Sequence, residues 1–130
     1  MFHLVKSLFF SSQDYKNKYI NYTQTKKEFS MFLDKNSLDK FLRGLSKEVA
    51  DLINIDDESY RVFEIFTNEN DLHTPGVTAL IASKFAEKDI PIIYSNSFNN
   101  SFILVTEKYY NKSVNILKCL ANPEDDKDDE

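Results

Sequence analysis

The segment "IPIIYSNSFNNSFILV", Ile90–Val105, decides how the second half of the chain folds. Two apolar runs, Ile90–Tyr94 and Phe102–Val105, flank the polar segment Ser95–Ser101. This pattern predicts two strands joined as a β-hairpin. Hairpin turns commonly use glycine, because a left-handed residue with a Cβ costs about 1 kcal/mol or more. Since this turn contains no glycine, it is either an unusual turn or a polar edge that faces a ligand.

The segments around the hairpin are predicted to form further strands and helices in a regular order. A strand is predicted at Tyr60–Phe66, followed by a polar loop at Thr67–Gly76 and a helix that closes near Lys88. The apolar residues in helical register there are Val77, Leu80, Ile81 and Phe85. A last helix is predicted from about Glu107 to Ala121, with one side formed by Tyr110, Val114, Leu117 and Ala121. The order strand, helix, strand, strand, helix favours an α+β fold with helices against one face of an antiparallel sheet.

The first half has a similar but shorter order. Leu4–Phe10 is predicted to be a strand and Ser11–Asn17 a loop. Tyr19–Thr25 and Glu28–Leu33 predict a hairpin, since Phe29, Met31 and Leu33 alternate with polar positions. This half therefore resembles the second unit with its first helix replaced by a loop.

An amphipathic helix is predicted next, because Leu38, Phe41, Leu42 and Leu45 recur at helical spacing. Its candidate N-caps are Asp34, Asn36 and Ser37, and Gly44 can end it. Ser46 would cap a second short helical turn, which carries Val49, Leu52 and Ile53. The polar and acidic segment Asn54–Ser59 is the best internal boundary.

The composition is that of a globular protein, with 42% hydrophobic and 14% aromatic residues among 130. The net charge of −5 comes from the segment Glu124–Glu130, which holds six acids and one lysine. We interpret this tail as a solvated, disordered end. The remaining chain is neutral, which argues against a nucleic-acid partner.

A cytosolic protein is expected. The single cysteine, Cys119, fits a reducing compartment and is predicted to be a small core residue. No apolar stretch approaches the ~20 residues needed to span a bilayer. Met1–Phe10 lacks the features of a signal peptide, so the three glycosylation sequons, at Asn21, Asn99 and Asn111, are interpreted as chance.

The residues offer no catalytic or metal-binding constellation. His3 and His73 lie far apart, neither has a second ligand at metal spacing, and two glycines cannot form a phosphate-binding loop. We therefore predict no enzyme, no metal and no cofactor.

The segment Thr74-Pro75-Gly76 is the best candidate for a binding site. It precedes a predicted helix, whose first N–H groups have no partner within the helix and suit a carboxylate. The alternative is that Gly76 only permits the turn into the helix. The polar segment Asn96–Ser101 could face the same binding site.

The segment "TPGVTALIASKFAEKDIPIIYSNSFNNSFILV", Thr74–Val105, resembles the ACT-domain signature. The form it resembles is that of CASTOR-type arginine sensors and small bacterial proteins with tandem ACT repeats. Their helix leads to "LAEAGI", a strand, and a segment close to "STFDTDYLLV". In the first half, "NYTQTKKEFSMFLDKNSLDKF" is similar to the family hairpin "ITRT–EISLV", and "YRVFEI" resembles the strand "WRVL". The resemblance covers roughly Phe9 to Leu117.

The resemblance implies two ferredoxin-like βαββαβ units, at residues 1–56 and 57–121, followed by the tail at 122–130. The first unit would be degenerate and lack its first helix. ACT domains are non-enzymatic regulatory modules that bind amino acids at interfaces between units, usually in dimers or larger assemblies. The resemblance places ligand-binding residues at Thr74, Gly76, Val77, Ser97, Phe98 and Ser101.

One departure from the family concerns the ligand. Where the arginine sensors have the two Asp residues of "TFDTD", this chain has Asn99 and Ser101. Losing a carboxylate that pairs with guanidinium costs about 1.5–3 kcal/mol. The sequence therefore predicts an amino acid or similar small molecule other than arginine. The alternative is a protein–protein interaction domain that keeps the ACT fold without a ligand, and the partner would be a second copy or another protein, not a membrane.

Overall fold

A computed structural model describes residues 19–65 and 76–122 of the chain. Two compact units make up the chain, a first unit, Met1–Ile55, and a second unit, Asp56–Glu130. The predicted strand Leu4–Phe10, the loop Ser11–Asn17, nine residues of the predicted loop before Gly76 and the acidic tail lie outside the described residues.

The first unit contains the predicted hairpin. Strands β1 (Ile20–Gln24) and β2 (Phe29–Leu33) pair antiparallel, with Tyr22 opposite Met31 and Gln24 opposite Phe29. Paired residues share a face of the sheet, and alternate residues of a strand point the same way. Tyr22, Phe29 and Met31 therefore lie on one face of the hairpin.

Helix α1 (Lys35–Arg43) starts at Asp34, one of the three predicted caps. The carboxylate of Asp34 accepts hydrogen bonds from the backbone N–H of Ser37 (3.0 Å) and from its hydroxyl (2.6 Å). Gly44 follows the helix with φ −83°, so it ends α1 without a left-handed conformation. Ser46 precedes the short helix α2 (Lys47–Ala50), but its side chain makes no capping hydrogen bond.

The second unit has the predicted order of elements, and the hairpin quoted first is present. Its elements are β3 (Tyr60–Ile65), α3 (Val77–Ala86), β4 (Ile93–Asn96), β5 (Ser101–Thr106), a 3₁₀ turn (Glu107–Tyr109) and α4 (Tyr110–Ala121). The strand order is β3-β5-β4, with both pairs antiparallel. This α+β arrangement fits a ferredoxin-like fold.

The core of the second unit lies between the sheet and both helices. Five apolar residues form its buried centre: Ile81, Phe85, Ile90, Ile103 and Val105. Phe63 and Ile65 of β3, and Ile116, Leu117 and Leu120 of α4, pack against this centre. Both helices thus cover the face that carries Ile103 and Val105, as the fold prediction required.

Two predicted helix faces are partly wrong. Leu80 is 52% exposed, because α3 turns Ile81 and Phe85 toward the sheet instead. On α4, Tyr110 and Ala121 are exposed. Cys119 is also exposed, so the prediction that it is a core residue is wrong. The residues of α4 that face the core are Ser113, Ile116, Leu117 and Leu120.

The hairpin turn at Ser97–Asn100 needs no glycine, because a side chain closes it. Ser97 N–H donates to Asn100 O (2.8 Å), and the Ser97 hydroxyl accepts from Asn100 N–H (3.1 Å). Among the described residues, only Gly76 and Asp89 have positive φ. The closure of the turn therefore explains why Ser97 and Asn100 are polar.

Candidate ligand-binding site

The start of α3 has the backbone geometry expected of a glycine. Gly76 has φ 93° and ψ −9°, the left-handed region that disfavours residues with a Cβ. A Cβ built on Gly76 would meet no atom of the described residues within 4 Å. Glycine adopts this conformation without a steric penalty, and the space in front of it leaves the backbone open to an incoming group.

The first turn of α3 offers backbone donors. Leu80 N–H donates to Gly76 O at 2.8 Å, which is the first hydrogen bond of the helix. The N–H groups of Val77, Thr78 and Ala79 therefore have no partner inside the helix, and the helix dipole makes this end positive. Such an end suits a carboxylate.

The topology brings the two predicted segments to one end of the sheet. Since β4 and β3 are both antiparallel to β5, they run parallel, and α3 must return between them. Its start at Gly76 therefore lies at the end where β3 finishes at Ile65. Ser101 pairs with both Ile65 and Asn96 at that end, beside the Ser97–Asn100 turn.

The predicted site residues differ in what their side chains can offer. Val77 packs its side chain against the core, so its backbone N–H is the group it presents. Ser97 uses its hydroxyl within the turn, and the Phe98 side chain is 98% exposed. Ser101 is 7% exposed and lies on the same face as Ile103. Thr74 lies outside the described residues.

One polar contact at this end was not predicted from the sequence. Asn100 Nδ2 donates to Glu64 Oε1 at 2.7 Å and links the turn to β3. Glu64 pairs with Phe102, so it lies on the face opposite the helices. The sequence gives little indication of this contact, because the two residues are 36 positions apart.

The charged cluster of the second unit lies at the other end of the sheet. Arg61 donates to Glu107 Oε1 (2.7 Å), and its guanidinium lies 4.8 Å from the centre of the Tyr110 ring. The hydrogen bond to Glu107, together with its negative charge, raises the pKa of Arg61. Phe63 stacks on the same ring, with 5.8 Å between centroids. This cluster anchors the start of α4 to β3 and is separate from the candidate site.

Within residues 19–65 and 76–122, no group of three or more His, Cys, Asp or Glu side chains could hold a metal ion. None of the helices in these two segments has the length and apolar character needed to cross a bilayer.

Comparison with known proteins gives a family match and similarity to solved structures. A family model described as the ACT domain matches residues 57–119. Among solved structures, a protein of unknown function from Vibrio cholerae, described as a possible transport protein, has 16% sequence identity and a TM-score of 0.53. The match covers 75% of this chain and 65% of that chain, so it shows the fold alone. No curated protein matches the chain significantly. The matched segment, residues 57–119, lies within the second unit.

Proposed function

We propose that the chain is a regulatory module that binds an amino acid next to the start of α3, at an interface between ACT units. ACT domains are generally regulatory modules that bind small ligands, and they often form oligomers. The observation that carries the proposal is Gly76, whose left-handed backbone opens the first turn of α3. The ligand α-carboxylate would accept hydrogen bonds from this turn, with Val77 as a donor.

A tandem arrangement of two ACT-like units is supported by an internal repeat of 72 positions. The first hairpin turn, Thr25–Glu28, is closed as Ser97–Asn100 is: Thr25 N–H donates to Glu28 O (2.8 Å), and the Thr25 hydroxyl accepts from Glu28 N–H (3.1 Å). Thr25 and Ser97 differ by 72 in number, as do Glu28 and Asn100. The flanking pairs, Gln24 with Phe29 and Asn96 with Ser101, keep the same offset.

The repeat continues beyond the hairpins. Asp34 precedes α1, and Thr106 precedes the 3₁₀ turn, again 72 positions apart. Helical structure starts in both cases at the next residue, Lys35 or Glu107. Two segments with the same turn closure, register and helix start are best explained as two copies of one supersecondary unit. This supports, for the first unit, an ACT-like identity outside the family match.

The proposed ligand has a neutral polar side chain. Ser101 is nearly buried at the proposed site and carries no charge, while Asn99 is exposed in the turn. Compared with a site that offers a carboxylate, arginine would bind about 10- to 150-fold more weakly. Micromolar affinity for arginine would contradict this part of the proposal.

A thermal-shift screen against the twenty amino acids tests the proposal. A ligand that binds only the native state should stabilise it by ~2.7 kcal/mol at a hundredfold excess over Kd. The carboxyl amide of the same amino acid should bind about 10- to 150-fold more weakly, since it lacks the charge that the helix end favours. Equal binding of the acid and the amide would show that the ligand carboxylate does not bind at the start of α3.

Two substitutions locate the site. Gly76→Trp should abolish the shift, because the indole would occupy the space in front of the helix. Gly76→Asn is the matched control for folding, since Asn tolerates the left-handed region better than other residues with a Cβ. If the Gly76→Trp protein is folded and still binds, the ligand lies elsewhere.

The second candidate function is that of a protein–protein interaction domain that keeps the ACT fold without a ligand. The exposure of Phe98 favours it, because a fully exposed aromatic side chain at a turn is a typical anchor for a partner. Absence of any ligand-induced shift, with a tight partner complex that Phe98→Ser weakens, would support this candidate. In either case the proposed assembly is a homodimer or a complex with another protein.

A further inference from the structure

Two polar residues lie on the helix-covered side of the sheet, at the end where α3 begins. Asn96 of β4 and Ser101 of β5 are paired, so their side chains lie on the same face. This is the face that the helices cover, because Tyr94 and Ile103, two residues away along each strand, pack in the core. We call Asn96 and Ser101 the polar pair.

Ser101 occupies a position where the core favours an apolar residue. Ile103 and Val105 follow it on the same face of β5 and are both 0% exposed, and Ser101 itself is 7% exposed. Within residues 19–65 and 76–122, the hydroxyl of Ser101 makes no hydrogen bond. A hydroxyl that is removed from water without gaining a partner destabilises the folded state. The fold alone therefore gives no reason for a serine at this position.

The amide of Asn96 is also unused. Asn96 is exposed, and its side chain makes no hydrogen bond to another described residue. Other polar groups at this end do have partners, since Asn100 donates to Glu64 on the opposite face and Ser97 closes the turn. The polar pair thus holds the hydrogen-bonding groups of the hairpin end that the fold leaves available.

The internal repeat shows that the hairpin does not need the polar pair. At the offset of 72, Asn96 and Ser101 correspond to Gln24 and Phe29, which are paired in the first hairpin. That hairpin has the same turn closure, with an aromatic ring in place of the hydroxyl. Since neither the closure nor the register requires Ser101, binding of a ligand is the best explanation for its hydroxyl.

The polar pair lies beside the start of α3. Ser101 is paired with Ile65, the last residue of β3, and Ile65 and Val77 both pack against the same core. The N–H groups of the first turn of α3, which have no partner inside the helix, therefore lie at the same end of the second unit as the Ser101 hydroxyl. A ligand whose carboxylate binds the helix can place its side chain against the polar pair.

The hydrogen-bonding groups of the pair match a carboxamide. The amide of Asn96 has an acceptor oxygen and two N–H donors, and the hydroxyl of Ser101 can donate and accept. A ligand carboxamide also has both kinds of group, so it can donate to the pair and accept from it. A carboxylate can only accept, and because neither residue is charged, it would lose its hydration without gaining an ionic partner.

We propose that Asn96 and Ser101 bind the side-chain carboxamide of the ligand, which is therefore L-glutamine or L-asparagine. This inference rests on the proposed function and deepens it, because it names the class of amino acid and adds Asn96 to the site. Asn96 and Ser101 determine specificity here, while the start of α3 binds the α-carboxylate that all amino acids share.

Isothermal titration with L-glutamine, L-asparagine and the corresponding acids, L-glutamate and L-aspartate, tests this proposal. One of the two carboxamides should bind the wild-type chain about tenfold or more tightly than its acid. Ser101→Ala and Asn96→Ala should each weaken its binding by about 2- to 12-fold, because each removes a hydrogen bond. In the double variant, the preference for the carboxamide should be lost. Asn111→Ala is the matched control, since Asn111 is exposed near the start of α4, at the other end of the sheet, and this variant should bind like the wild type.

The melting temperature without ligand separates binding from folding. Ser101→Ala should melt at the same temperature as the wild type or higher, because it removes a buried hydroxyl that has no partner. A lower melting temperature would show that the hydroxyl serves the fold and would overturn the proposal. A carboxamide preference that the folded double variant retains would also overturn it.

The proposed function and the polar pair can fail separately. If neither L-glutamine nor L-asparagine binds, the role of the polar pair is refuted, whereas another amino acid that stabilises the chain and is lost in Gly76→Trp would leave the proposed function standing. If a carboxamide amino acid binds equally well to the folded Gly76→Trp protein, the site at the start of α3 is wrong.

Discussion

The side-chain amide of Asn100 donates a hydrogen bond to the carboxylate of Glu64, with 2.7 Å between Nδ2 and Oε1. This contact fixes the hairpin turn to β3 at the end of the sheet where α3 begins. It therefore restrains the turn, one of the two segments of the proposed ligand site, relative to the sheet.

Asn100→Ala should lower the free energy of unfolding by about 0.5–1.5 kcal/mol, because a hydrogen bond to a charged group is lost at an exposed position. Urea denaturation measures this change. Glu64→Gln is the control, since the amide oxygen can still accept the bond. If Asn100→Ala costs as much in a Glu64→Ala background, the contact contributes nothing.

Asp34→Ala should destabilise the first unit by about 1 kcal/mol, because the carboxylate caps α1 through Ser37. Helical circular dichroism during urea unfolding follows this loss. Asp34→Asn retains an acceptor for Ser37 N–H and should be closer to wild type. Equal stability of Asp34→Ala and the wild-type protein would show that the cap is dispensable.

Asp89→Gly should stabilise the chain by about 0.5–1 kcal/mol. Asp89 has φ 54°, and the Ile90 N–H donates to Phe85 O (3.0 Å), which together form the C-terminal cap of α3. The glycine of the family segment "LAEAGI" falls at this position. Asp89→Ala keeps the steric penalty and should give no stabilisation. A melting temperature that does not rise in Asp89→Gly would contradict the prediction.

Phe85→Ala and Leu80→Ala form a matched pair on α3. Phe85 is fully buried, so its truncation should cost about 3–5 kcal/mol through lost burial and a cavity. Leu80 is half exposed, and its truncation in the monomer should cost less than about 1 kcal/mol. Similar losses in the two variants, measured by chemical denaturation at low protein concentration, would mean that the assigned core side of α3 is wrong.

The pair of Arg61 and Glu107 should give no pH dependence of stability through Arg61 near neutral pH. Because folding raises the pKa of Arg61, the stabilisation is fully present at neutral pH and is lost only as the pH rises through that pKa, in the strongly alkaline range. Wild-type and Arg61→Met proteins should therefore have the same slope of unfolding free energy against pH near neutrality. A difference in slope would mean that this pair changes its protonation near neutral pH, which would contradict the prediction.

The order of strands and helices in the second unit was predicted from hydrophobic periodicity alone. The side of α4 that faces the core was not predicted correctly. The prediction assumed one helix from Glu107 to Ala121, whereas Glu107–Tyr109 form a 3₁₀ turn. The predicted side of α4 lies wholly within this helix, so the turn does not displace its register. An adjacent stripe, Ser113, Ile116, Leu117 and Leu120, is equally regular, and only its contacts with the core decide between the two. Tyr110 is also held at the surface by Phe63 and Arg61, two contacts across the fold that no local pattern contains.

The sequence likewise indicated only some features of the candidate site. Gly76 stood out because glycine is scarce in this chain and precedes a helix. The closure of both hairpins by a hydroxyl could have been inferred from Thr25 and Ser97, each four residues before an apolar strand. The bond between Asn100 and Glu64 depends on the register of β3 and β5, which only the folded sheet defines.

The turn closure shared by the two hairpins uses the hydroxyl of the first residue and the backbone of the fourth. The side chains of the two central positions, Lys26 and Lys27 in one turn, and Phe98 and Asn99 in the other, have no part in this closure. Mutations at these positions can therefore accumulate without a folding penalty from the closure. In the proposed tandem arrangement, such turns would be the first places where the two units acquire different specificities, one basic and one aromatic.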